Sequence, residues 1–170
     1  LKYISITEYH KPDFWENYYK YKIDSITGEL LVDYSNLKIA SQVNPVTSSQ
    51  YGFACFDEFY KTNDSIYLAK FWNQINNLIK HSITDKKKEN LKFPYNFYYE
   101  TYNLEPPWYS AMAQGHAASM FVRAYIISSN KEFMKKAKSS INFMILPVHE
   151  GGCLNVTPEG YLWLEEYPSD

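Results

Sequence analysis

Cysteine is scarce in this sequence. Only Cys55 and Cys153 occur in 170 residues, far apart and at no metal-binding spacing. Two buried free thiols are expected, with a single disulfide as the alternative. An excess of basic charge is also lacking. Lys and Arg number 17 against 19 Asp and Glu, a formal −2, so no electrostatic footprint for nucleic acid is present. No apolar run approaches the length of a membrane span. The one charge run, at 85–89 (DKKKE), reads as a solvated loop. The chain starts at Leu1 without an initiator methionine or a signal-like apolar segment, and it closes on EEYPSD. A processed or partial chain is therefore expected, and the compartment is left open.

Aromatic residues are what the sequence has in plenty, at 18% with 17 tyrosines. Some must be core. Tyrosine also suits wet clefts, because it joins a flat apolar face to a polar tip. Around residues 107–117 the sequence runs PWYSAMAQGHA. Pro106 and Pro107 forbid a helix through themselves. The run from about 110 to 128 has no proline and is rich in Ala and Met, which predicts a helix. Its small residues allow close approach from several sides, so it should be buried. Aromatic, Gln and His side chains cluster at its first turns, where N–H groups without helical partners can receive an anion.

Three more helices are predicted: 47–61, capped by Thr47, Ser48 or Ser49; 65–81, after Asp64 or Ser65; and 131–143. A shift of 66 residues lays Phe59 on Tyr125, Tyr67 on Phe133, Leu68 on Met134 and Ile75 on Ile141. Repeated helical hairpins of this kind predict a mainly α fold, an incomplete α/α toroid or solenoid with short β-hairpins. Residues 1–45 read as an irregular, partly β segment, with short strands at 3–6 and 30–33, and residues 46–170 as the helical domain. Residues 82–91 read as a polar loop. The segment 93–99 (FPYNFYY) is aromatic and extended, its tyrosines open between core and cleft wall. Beyond 143, a hairpin of strands 153–156 and 161–165 is predicted, delivering Glu165, Glu166 and Tyr167.

Two of these stretches resemble one enzyme family. WYSAMAQGHA, continuing through Arg123, Ala124 and Tyr125, is similar to the hallmark helix of the D-glucuronyl 5-epimerases, which act on heparan sulfate and heparosan-type polysaccharides. WLEEYP at 163–168 is similar to that family's hallmark strand. A weaker third element resembles the stretch from Asn44-Pro45-Val46 to Gln50-Tyr51-Gly52. The resemblance extends from about residue 44 to the end. It implies an α/α toroid catalytic domain and conversion of D-glucuronate to L-iduronate within a polymer by inversion at carbon 5. No organic cofactor is implied. The expected partner is an acidic polysaccharide, with no nucleic acid, no membrane span in this chain and a homodimer as the assembly to test. The compartment would be the cytoplasm in a bacterium and the secretory lumen in a eukaryote. The family's Glu-Tyr pair carries over to Glu166 and Tyr167 as catalytic residues. Its further catalytic tyrosines and arginine lie in a segment C-terminal to anything matched here.

The chemistry accounts for these residue types. The carbon-5 proton lies α to a carboxylate and is very weakly acidic. Its removal needs a base within about 3 Å or one water away, and stabilisation of the enolate-like carboxylate. Inversion also needs a proton donor on the opposite face. Glu166 suits the base if desolvation raises its pKa. Tyr167 suits the donor, or a base if ionised. Strand parity places Trp163, Glu165 and Tyr167 on one face and Glu166 on the other, unless Pro168 or a bulge turns the chain. The expected substrate-binding residues are Trp108 and Tyr109, by stacking, with Gln114, His116, Gln50 and Tyr51. His116 also reads as a core histidine bonded to a backbone group. A uronan lyase would use the same proton abstraction. A glycoside hydrolase needs two carboxylates across the bond. A catalytically incomplete binding fragment would bind sugar without proton exchange.

Overall fold

The computed structural model describes residues 10–85 and 89–168. It is mainly α-helical, with short antiparallel strand pairs. The expected strand at 3–6 and the middle of the charge run, 86–88, lie outside the described residues. The chain divides into two compact units, 1–79 and 80–170.

In the first unit, α1 (Pro12–Asn17) opens on Pro12 and buries Trp15. This segment has no helical period, and its turn is set by Pro12 at the first helical position. Strands β1 (Tyr21–Ile23), β2 (Leu30–Val32) and β3 (Gln42–Val43) form an antiparallel sheet in that order. Tyr21 pairs with Val32, and Leu31 with Val43. Helix α2 (Pro45–Thr62) begins two residues before its expected start. Asn44 is the cap, its Oδ1 accepting from the Thr47 N–H at 3.1 Å, and Pro45 takes the first position, where no N–H is needed. What reads as a punctuating Asn-Pro is a helix start. Helix α3 (Ser65–Lys80) follows, with Asp64 Oδ1 accepting from the Ile66 N–H at 2.9 Å. The rings of Phe56 and Phe71 lie 5.3 Å apart between the two helices.

In the second unit, the described parts of the expected polar loop at 82–91 are not all loop. They contribute β4 (Ile83–Asp85) and β5 (Asn90–Lys92), paired Ile83 to Lys92. Residues 95 and 99 are extended and bridge to Trp108 and Leu104. Helix α4 (Ala111–Ser128) is capped by Ser110, whose Oγ accepts from the Ala113 N–H at 3.3 Å. Helix α5 (Lys131–Met144) is capped by Asn130 and packs along α4, with Phe121 stacked on Phe133 at 6.4 Å. Ala113, Ala117, Met120, Phe121 and Ala124 of α4 have no exposed surface, which meets the expectation of a buried small-residue helix. Strands β6 (Leu154–Val156) and β7 (Leu162–Leu164) form the expected terminal hairpin, with Asn155 opposite Trp163.

The two helix pairs repeat closely. Helices α2 and α4 are each 18 residues long and offset by 66. Each ends on a left-handed residue, Asn63 and Ser129, both at φ 56°. Helices α3 and α5 start with the same offset. Both cysteines are free and buried. Among the described residues no helix is long and apolar enough to cross a membrane.

Candidate functional site

The site is built where β7 ends against the first turn of α4. After Leu164 the chain leaves the strand ladder. The Glu165 N–H donates to the Cys153 carbonyl at 2.8 Å, and the Glu165 carbonyl accepts from the Ala111 N–H at 2.9 Å. Glu165 Oε1 accepts from Asn155 Nδ2 at 3.1 Å. Two stretches more than 40 residues apart in sequence are thus fastened together by backbone bonds. A bend then carries Glu166 and Tyr167 off the strand, so parity no longer governs them. The Glu166 carboxylate lies on the same bend as the Tyr167 phenol and is near enough to act on it electrostatically. Both side chains line one cleft of about 680 Å³, together with Tyr102, Met112, His116 and Trp163.

The Tyr167 ring is placed by aromatic neighbours. It stacks on Tyr102 with centroids 4.4 Å apart and planes 11° apart. Tyr99 lies at 5.5 Å and Trp108 at 6.0 Å. Burial raises the Tyr167 pKa above that of a solvated phenol, and the neighbouring Glu166 charge adds to the shift. The phenol therefore holds its proton at neutral pH. Glu166 itself is exposed at the rim rather than desolvated.

His116 is half-buried in the cleft wall. Its Nδ1 lies 2.9 Å from the Met112 carbonyl oxygen. A carbonyl only accepts, so Nδ1 carries the hydrogen. Burial lowers the imidazole pKa, keeping the ring neutral at pH 7. His116 is thus a backbone-bonded histidine that also faces the cleft.

The remaining sequence candidates lie elsewhere. Trp108 is 7% exposed and stacked on Tyr95 at 4.0 Å, with Nε1 donating to the Phe97 carbonyl at 2.8 Å. Its edge and Tyr109 border a second cavity of about 600 Å³ with Glu105 and Gly152. Tyr109 is half-buried, edge-on to Phe143 at 4.9 Å, and burial raises its pKa. Gln114 has no exposed surface. With its amide oriented to satisfy both atoms, it donates to the Leu91 carbonyl at 3.0 Å and accepts from the Phe93 N–H at 3.1 Å. It holds β5 to α4. Gln50 and Tyr51 belong to the first unit. Tyr51 is buried, and its hydroxyl donates to Glu16 Oε1 at 2.9 Å, which also accepts from Lys70 Nζ at 2.6 Å. Gln50 is half-buried.

One expectation is corrected. The start of α4 is less open to an anion than its sequence implies, because Glu165 and Ser110 already occupy the Ala111 and Ala113 N–H groups. Of the aromatic residues of the cleft, Tyr102 and Trp163 have no counterpart among the sequence candidates. Tyr102 sits among tyrosines that carry no period to distinguish wall from core. The only signal for Trp163 is its place in the strand that delivers Glu165. No group of three His, Cys, Asp or Glu among the described residues is placed to hold a metal ion.

Comparison with known proteins bears on the same half of the chain. Residues 86–170 match the family model described as "D-glucuronyl C5-epimerase C-terminus". A D-glucuronyl C5-epimerase of Caenorhabditis elegans is 37% identical over 68 residues, which is 39% of this chain and 11% of that protein. The chain therefore spans a small part of the curated relative it matches.

Proposed function

Because the chain belongs to the D-glucuronyl C5-epimerase family through its C-terminal half, we propose that it is part of a polysaccharide uronate 5-epimerase that converts D-glucuronate to L-iduronate in a heparosan-like polymer. The reading rests above all on one observation, the adjacent Glu166 and Tyr167 side chains lining one cleft against the first turn of α4. Glu166 is the acceptor for the carbon-5 proton. Tyr167, which keeps its own proton, donates a hydrogen bond to the enolate-like carboxylate. The two line one cleft, so they serve one region of the sugar. Inversion requires a further acid/base group facing the opposite side. His116, neutral in the same cleft, binds a substrate hydroxyl or the uronate carboxylate.

In this proposal residues 46–170 form part of the catalytic domain, with the α2–α3 and α4–α5 pairs as successive hairpins of an α/α toroid. The repeat of lengths, caps and offset supports that arrangement. Tyr109, bordering the second cavity of its own unit, adds a contact to the polymer.

The test is incubation of the protein with heparosan in deuterium oxide. Deuterium should enter carbon 5 without chain cleavage. Tyr167→Phe should reduce exchange by about 100-fold or more, the scale of one removed oxyanion donor, while polymer binding is retained. Exchange at near-normal rate in the variant would remove Tyr167 from the mechanism. An unsaturated, ultraviolet-absorbing product would identify a lyase instead.

A further inference from the structure

The Trp163 indole is 61% exposed, in contrast to the enclosed Trp108. It does not belong to the aromatic array around Tyr167, and among the described residues no ring stacks on it. Its backbone is fixed, since β7 pairs it with Asn155 and the next residues are fastened to Cys153 and Ala111. An indole on a paired strand has little freedom to turn away. It lines the cleft that holds Glu166 and Tyr167, four residues before the phenol.

An exposed indole leaves a large apolar face in water, and that face gains by covering. The surroundings select what covers it. The same cleft carries Glu165, Glu166 and His116, and a protein partner seated there would have to desolvate them in the centre of its interface. A pyranose ring does not, because its C–H face is apolar while its hydroxyl rim can bond to such groups. The two carboxylates also repel an anion placed directly over the indole. An uncharged ring suits the position better than a uronate.

We infer that Trp163 is a sugar-stacking platform of this cleft, binding an uncharged pyranose residue of the acidic polymer next to the reacting uronate. The inference rests on the reading of the cleft as a uronan site. Its consequence is that Trp163 sets the register of the polymer and touches no reacting atom.

The experiment titrates wild-type protein and Trp163 variants with size-defined heparosan oligosaccharides. Tryptophan emission and calorimetry report binding, and carbon-5 exchange is measured on the same samples. Trp163→Ala should weaken binding roughly tenfold, the scale of one covered aromatic face, and raise KM while exchange at saturating polymer is preserved. Trp163→Tyr, which keeps a flat ring, should recover most of the affinity. Binding of Trp163→Ala within twofold of wild type, with exchange intact in both, overturns the platform alone. Wild-type protein that neither binds nor exchanges overturns the platform and the uronan reading together. A change in self-association on sedimentation, with sugar affinity unaltered, replaces the platform with a protein contact.

Discussion

His116 couples the cleft to pH. Burial holds its imidazole below the ordinary value of about 6.5, with the hydrogen bond to Met112 pulling weakly the other way. The unfolded chain therefore binds the proton more readily than the folded one. The stability His116 contributes is complete above the unfolded pKa and is lost as pH falls through the folded one. The carboxylates Glu165 and Glu166 share its cleft. The wild-type melting temperature should decline as the pH falls below about 6.5. The His116→Gln variant should show a shallower decline over the same interval. Parallel curves in differential scanning calorimetry would mean that His116 does not titrate with folding.

At the scale of elements, helix starts govern the architecture. Asn44 and Ser110 cap the two equivalent helices through one side-chain oxygen each. Asn44→Ala and Ser110→Ala should each cost about 1 kcal/mol, while Asn44→Asp and Ser110→Thr should cost less. Urea unfolding measures this, and two silent alanine variants would show that packing alone sets the helix starts. The helix pairs were legible in the sequence because an 18-residue helix displays its apolar residues over many turns. The 66-residue offset supplies a second, independent sign. Strands β4 and β5 were not legible, since three residues such as Ile83–Asp85 offer too few positions for a period. The Glu166–Tyr167 pairing was obscured for a different reason. Strand parity does not reach Glu166 and Tyr167, because the ladder ends at Leu164. The enclosure of Trp108 depends on the extended segment at Tyr95 and Tyr99 closing over it, and no local pattern announces such long-range covering.

At the scale of the molecule, each compact unit contains one cysteine. Cys55 lies in 1–79 and Cys153 in 80–170. Burial pushes both thiols up to about 12, so thiolate is scarce and access is closed while each unit is folded. Neither should react with a thiol reagent at pH 8 until its own unit opens, which makes the pair a two-channel reporter. Gly152 offers a way to open one channel. A Cβ at this position would overlap the Leu146 carbonyl and side chain, and Leu146 is tied to β6 by its bond from the Leu154 N–H at 2.9 Å. Cys153 packs beside it with Ala111 and Phe143. Gly152→Ala should therefore displace the hairpin that carries Glu166 and Tyr167, at a cost of roughly 1–3 kcal/mol. Because the strain falls within the second unit, labelling of Cys153 should accelerate several-fold with Cys55 unchanged, and carbon-5 exchange should fall in parallel. Peptide mapping after timed labelling distinguishes the channels. Equal acceleration at both cysteines would show that the two units unfold as a single cooperative body, and the hairpin could not then be perturbed on its own.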